Sequence, residues 1–266
     1  MKSVYSLLFA VVFLHGRLYS GGGLDFENAR SKALGVSGIS LASPANPSGI
    51  SFFDSSVASI TYGNRFSLKE LAEFSAVLSY PNRWLDAGLA FSRFGYEHYN
   101  ENRIGLSVAR KLSATISAGL RFNYFFIHVS DVDEQPAALT TDIGCYWKPS
   151  DFVSVGFLFS NLMLMNSGVG NPLDKTACVG VSYRIIPELM LITEIETTFR
   201  HAAEYRFGIE YQPVENIFFR MGVSGKPFVP SFGLGYRLKH VQCDIAARSH
   251  EVLGISPVIG LTYFFR

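Results

Sequence analysis

The chain has 266 residues, of which 48% are hydrophobic, 14% aromatic and 17% charged, with a formal net charge of +1. So even a balance gives no electrostatic footprint for nucleic acid or for acidic substrates, and no nucleic-acid partner is expected. Cys145, Cys178 and Cys243 form no CxxC pair and cannot all pair with one another, so neither a disulfide framework nor a metal site is expected, and no cofactor is implied.

Residues 1–23 read as a signal peptide, with Lys2, an apolar run from Val4 to Leu14, and small residues from Ser20 to Gly23. That run is shorter than the roughly 20 apolar residues of a membrane-crossing helix, and no later stretch reaches that length. Cleavage would leave about 245 residues, enough for one large β domain or two small ones. No cysteine follows the expected cleavage point, which argues against a lipoprotein. Residues 24–55 come next. Pro44, Pro47 and the Gly and Ser around them favour a turn-rich segment over a regular helix. Two roles stay open for this segment: a plug inside a barrel, or a leader that only precedes the first strand.

From residue 56 onward one pattern repeats. In "AEYRFGIEYQP", Glu204, Arg206, Gly208, Glu210 and Gln212 alternate with Tyr205, Phe207, Ile209 and Tyr211. Strict alternation is the period of a strand, whose successive side chains leave opposite faces. Fourteen such segments are expected, at 56–66, 71–80, 83–94, 101–110, 113–128, 138–147, 151–161, 174–184, 188–198, 203–212, 215–224, 228–238, 240–248 and 255–265. A length of about ten residues is what a strand needs to cross a bilayer at barrel tilt. Short links ("YPNR", "RKLS", "KPSD", "IIPE", "QPVEN", "RLKH") alternate with longer ones ("GYEHYNE", "SDVDEQPAA", "NLMLMNSGVGNPLD", "SGKPFVP", "RSHEVLG"). This is the asymmetry of tight periplasmic turns and longer external loops, and an even strand count leaves both termini in the periplasm. The expected fold is therefore all-β, a transmembrane antiparallel β-barrel of about 14 strands over 56–266. A soluble sandwich, with the aromatic face as its core, is the alternative. The location that follows is the outer membrane of a Gram-negative bacterium, with outer-membrane lipid as the immediate partner. The terminal "LTYFFR" keeps the alternation, although Arg266 follows the aromatic Phe265.

The stretch "ENARSKALGVSGISLASPANPSGI" resembles the N-terminal signature of the PorV/PorQ group in the FadL-like outer-membrane barrel superfamily, through Ala29, Arg30, Gly35, Gly38, Asn46, Pro47 and Gly49. Ser48 stands where the group usually has Ala, and the link from Ile39 to Asn46 is short for it. The resemblance implies a fourteen-stranded barrel with an N-terminal hatch in the lumen. It further implies a role in type IX secretion or in attaching exported proteins at the surface, with secreted proteins or secretion-channel components as partners. The superfamily's other use, passage of a hydrophobic ligand, is the alternative.

The inward register carries Glu73, Arg103, Arg121, Asp142, Arg184, Glu194, Glu196, Glu204, Arg206, Glu210, Arg220, Arg237, Asp244 and Arg248, with the two signs in similar number. Charges enclosed in a narrow interior must pair, because a lone buried charge is costly. A structural lattice that constricts the lumen is expected, rather than an ion-selective path or a greasy axial channel. A hydrophobic ligand would then enter near the external loops or through a gap in the wall. The apolar run Leu162, Met163, Leu164 and Met165 reads equally as a partner or ligand loop and as an extension of the seventh strand. Catalysis is not expected, since the chain has no GxSxG elbow, HExxH or phosphate loop. His98, His201 and His250, with Glu97, Asp131, Asp133 and Glu251, are the loop residues that an enzymatic reading would have to use.

Overall fold

The computed structural model describes residues 26–130, 135–162, 164–167, 173–198, 201–225 and 228–265. The expected signal peptide, Met163, Asp131 and Asp133 lie outside these residues. The strands are β1 (Val57–Asn64), β2 (Ala72–Tyr80), β3 (Asp86–Gly95), β4 (Tyr99–Lys111), β5 (Ile116–Val129), β6 (Ala137–Trp147), β7 (Val153–Ser160) and β8 (Leu164–Ser167). They continue with β9 (Thr176–Ile186), β10 (Leu189–Thr198), β11 (His201–Val214), β12 (Ile217–Ser224), β13 (Val229–Leu238), β14 (Val241–His250) and β15 (Gly254–Phe264). All neighbours are antiparallel, and β1 pairs with β15 from Val57↔Phe264 to Gly63↔Val258, which closes a fourteen-stave barrel with no free edge.

The alternation in sequence becomes inside and outside. Tyr205, Phe207, Ile209 and Tyr211 stand on the outer surface, while Arg206, Gly208 and Glu210 are buried in the lumen. Exposed aromatic rings mark both rims of the apolar band. Tyr80, Trp84, Trp147, Tyr183, Tyr236 and Tyr263 lie toward the end that carries the chain termini, and Tyr62, Phe74 and Tyr124 toward the other. Such girdles are the mark of a barrel seated in a bilayer.

Two expectations need correction. The links "GYEHYNE" and "RSHEVLG" are not long loops: β4 begins at Tyr99, and β14 runs to His250 before β15 begins at Gly254, so each connection spans three residues. Their polar side chains continue the ladder above the apolar band; β4, β5 and β11 reach 13, 14 and 14 residues. The seventh stave is in two pieces. β7 pairs with β6 at one end and stops at Ser160, Asn161 takes a left-handed conformation (φ 60°), and β8 then pairs with Ala137 to Thr140 of β6. The apolar run therefore extends the seventh stave at Leu164 and Met165, and Met165 is exposed on it.

The lumen is filled by residues 26–53, most of them fully buried. They contain α1 (Ala29–Leu34) and a 3-10 helix over Pro47–Phe52, so the segment is more helical than its Gly, Ser and Pro content suggests. The reason is local capping. The Asn28 side chain accepts from the Ser31 amide, and Gly35 closes the helix at φ 64°. Asn46 likewise accepts from Ser48 N, with Pro47 at the first helical position.

The wall makes room for this chain by omitting side chains. Three cross-strand pairs are glycine opposite glycine: Gly119↔Gly144, Gly156↔Gly180 and Gly208↔Gly222. Each faces a hatch segment. A Cβ on Gly119 would lie 2.6 Å from Ser48 N, one on Gly208 2.8 Å from Leu34 O, and one on Gly260 2.7 Å from Ala29 Cβ. At Gly144, Gly156 and Gly222 the added carbon would collide outright with Asn46, Ile39 and Leu34. Gly222→Val should therefore unseat α1 or strain the wall, costing about 1–3 kcal/mol as an overpacked core does. Urea unfolding in lipid vesicles measures the loss, and limited proteolysis should cut residues 26–53 in the variant but not in a lipid-facing control, Ile245→Val.

Candidate functional site

The lumen charges fall into four clusters, each tied to the hatch. In the first, Asp142 is fully buried and accepts from Arg103 (3.2 Å), Arg121 (2.8 Å), Asn123 (2.9 Å) and the Asn161 amide (3.0 Å). Arg121 also donates to the Pro44 carbonyl at 2.9 Å, and both guanidinium groups lie over the Phe26 ring, at 5.3 Å for Arg103 and 4.8 Å for Arg121. One wall carboxylate thus orients two cations that clasp the start and the middle of the hatch.

The second cluster faces the turn that follows α1. Glu194 accepts from three successive backbone amides, Ser37 (2.7 Å), Gly38 (2.9 Å) and Ile39 (2.9 Å). A run of converging amides is an anion-binding nest, and here the barrel's own carboxylate occupies it. Gly38 at φ 84° permits the turn. Beside it, Arg206 pairs with Glu196 and Glu204, each at 3.1 Å, and donates to the Ser37 hydroxyl.

In the third, Arg30 and Arg220 share Glu210, at 2.6 Å each, and Arg220 also meets Asp244 at 2.5 Å. Gln242 donates to Asp244 and accepts from Arg237, which lies over Phe218 and Phe264. The fourth joins Lys32 of α1 and Arg65 of the β1–β2 link to Glu73. Arg248 reaches only Ser224, at 3.5 Å, and Arg184 stands at the mouth on the terminus side, without an ion pair among the described residues.

The residues of the hatch signature make its contacts with the wall. Ala29 packs under Gly260, Arg30 binds Glu210, and Gly35 turns against Gly222 and Val223. Asn46 donates to the carbonyls of Ile39 (3.1 Å), Cys145 (3.2 Å) and Phe157 (3.4 Å), tying hatch, β6 and β7 together. Gly49 is so close to the Ser43 backbone that a Cβ would fall 2.8 Å from its carbonyl oxygen. Sequence reading missed Lys32 and Arg65 as partners of Glu73, and it missed the role of Glu194 as a backbone acceptor. A lysine and an arginine at i and i+2 near the start of an otherwise uncharged hatch were the available signal.

The hatch leaves three separate spaces among the described residues. A cavity of about 170 Å³ at the loop end is lined by Lys32, Arg65, Glu73, Arg248 and His250. A central one of about 50 Å³ lies between Phe26, Ile39, Arg103, Leu158, Leu173 and Cys178. A third, of about 210 Å³ and lined by Arg30, Leu41, Phe52, Tyr146 and Arg184 among others, opens at the terminus end. They share no lining residue, so residues 26–53 interrupt any axial path. The loop histidines do not converge on a catalytic arrangement: His98 Nδ1 is 3.2 Å from Ser130 Oγ, and His250 Nδ1 accepts from the Val252 and Leu253 amides. The side chain of His201 is outside the described structure.

No family model and no curated protein matches the chain. Among solved structures, it superposes on the Pseudomonas putida toluene transporter TodX with a TM-score of 0.66, at 10% identity over 93% of this chain and 99% of that one. The CymD monoaromatic hydrocarbon channel gives 0.65 at 12% identity over 92% and 98%, and a Pseudomonas aeruginosa FadL homologue 0.61 at 14% over 90% and 98%. The chain thus shares the fold of these barrels.

Asp142→Ala should cost about 3–5 kcal/mol, because it strands Arg103 and Arg121 in the lumen without their shared carboxylate. Glu204→Ala, at a partly exposed pair, should cost under about 1 kcal/mol. Urea titration of the vesicle-embedded protein distinguishes them. Hydrogen exchange at the Ser37, Gly38 and Ile39 amides should accelerate in Glu194→Ala.

Proposed function

We propose that this protein is a non-enzymatic outer-membrane channel for a hydrophobic small molecule, with residues 26–53 as its hatch. The carrying observation is the broken seventh stave beside a plugged lumen. The β7–β9 ladder stops at Ser160↔Thr176, β8 pairs with β6, and the central cavity is lined by Leu158, Ser160, Asn161, Leu173, Thr176 and Cys178, the residues that flank the break. An apolar solute that partitions into the bilayer can reach a cavity behind such a break without crossing the charged lattice along the axis. Left-handed Asn161 is the strained position that ends the ladder.

The fold shared with two hydrocarbon channels and a FadL homologue supports the uptake reading. It favours that reading over the secretion-associated role expected from the PorV/PorQ resemblance, for which secreted proteins or secretion-channel components would be the partners.

Cells bearing an intact lipopolysaccharide layer should take up radiolabelled toluene faster when they express the protein. Leu158→Trp, which fills the central cavity from the wall, should remove at least about nine-tenths of that gain while the protein still migrates as a folded barrel on unheated gels. Uptake equal to that of vector controls, with exported proteins copurifying instead, would overturn the channel reading in favour of secretion.

A further inference from the structure

The cavity at the terminus end has a composition unlike the rest of the lumen. Its floor is apolar: Leu41 and Met190 belong to a buried cluster with Leu34, Val36 and Ile192, and Phe52 packs against Tyr146 with ring centroids 4.9 Å apart. Phe152 and Val153, at the start of β7, form a side of it. Above this floor stand three cations, Arg30, Lys148 and Arg184, against one carboxylate, Asp151. Two of the cations are already engaged. Arg30 is held by Glu210, and Lys148 by Asp151 at 2.8 Å on the exposed rim. Arg184 ends the inward register of β9 with its backbone fixed, its amide donating to the Phe152 carbonyl at 2.7 Å, and its guanidinium forms no ion pair among the described residues.

Elsewhere in the lumen, cations on the wall close on carboxylates of the wall or the hatch. An uncompensated guanidinium beside an aromatic floor is the complement of a molecule with an apolar body and one anionic end. The volume of about 210 Å³ is below the range of roughly 300–1,000 Å³ that holds drug-sized ligands, which limits the body to a single ring or a short chain. Three aromatic side chains, Phe52, Tyr146 and Phe152, favour the ring. We propose that this mouth is a binding site for a small aromatic carboxylate, its ring against Phe52, Phe152 and Met190 and its carboxylate on Arg184, with Lys148 at the rim. The site goes beyond the uptake reading and does not depend on it, since occupancy here can be measured with no transport taking place.

The test is equilibrium binding of benzoate and of its uncharged isostere benzamide to the detergent-purified full chain. Wild type should bind benzoate at least about tenfold more tightly than benzamide, the margin of one charge-assisted contact. Arg184→Gln should erase that margin and leave benzamide unchanged, and Val153→Trp, which fills the cavity, should abolish both. Arg184 is exposed at the mouth, so its substitution should leave the barrel folded; migration on unheated gels verifies this. Equal affinity for the two ligands, or benzoate binding that survives Arg184→Gln and Val153→Trp, would overturn the proposal. Toluene uptake by cells carrying Arg184→Gln reports on the channel reading separately, because toluene has no charge for Arg184 to hold.

Discussion

The close approach of the hatch backbone to the barrel wall governs this structure. A fourteen-stave barrel leaves an interior that side chains alone do not fill, and here it is filled by a second layer of polypeptide. That layer fits only because glycines stand on the inner face wherever it passes. Burying a chain with so many backbone polar groups then requires partners for them, and the wall supplies these from carboxylates, guanidinium groups and one asparagine. Glu194 on three amides and Asn46 across three carbonyls are the clearest cases.

The charges of the lumen follow from the same constraint. Each acid or base that faces inward is far from bulk water, and most are enclosed by partners of opposite sign. Such a lattice adds less to net stability than its geometry suggests, since dehydrating each ion offsets much of the attraction. Its stronger effect is on specificity: a hatch shifted by one residue would leave Arg30, Lys32 and the amides of residues 37–39 facing the wrong groups. The lattice therefore selects one seating among the many that apolar contact alone would tolerate.

Most of the barrel was legible in the sequence because period-two alternation is imposed by a wall with lipid on one side. Tyr205 through Tyr211 show it without interruption. The break at Asn161 was not legible, because "FLFSNLMLM" keeps its apolar character through a change of neighbour that only the β6 ladder reveals. The short external connections were missed for a related reason. "EHYNEN" and "RSH" look like loop residues by composition, yet above the apolar band a strand edge faces water on both sides and polar side chains are no obstacle to pairing. In the hatch, individual caps could be read from Asn28, Gly35, Asn46 and Pro47. Which wall residue each segment meets could not, since those pairs lie up to 180 positions apart.

The order of the chain adds a kinetic requirement to this architecture. The hatch precedes β1, and the β1–β15 seam is the last ladder that can form, because β15 is the last stave. Once that seam zips, residues 26–53 are enclosed by a complete ring of strands. A barrel that closed around an empty lumen would have to thread some two dozen residues back through its own mouth, past Arg184 and Lys148, to reach the same seating. Folding therefore favours a path in which the hatch is gathered against an open, curled sheet and the seam closes over it, so that the first-made segment of the mature chain acts as a template for the curvature of everything that follows.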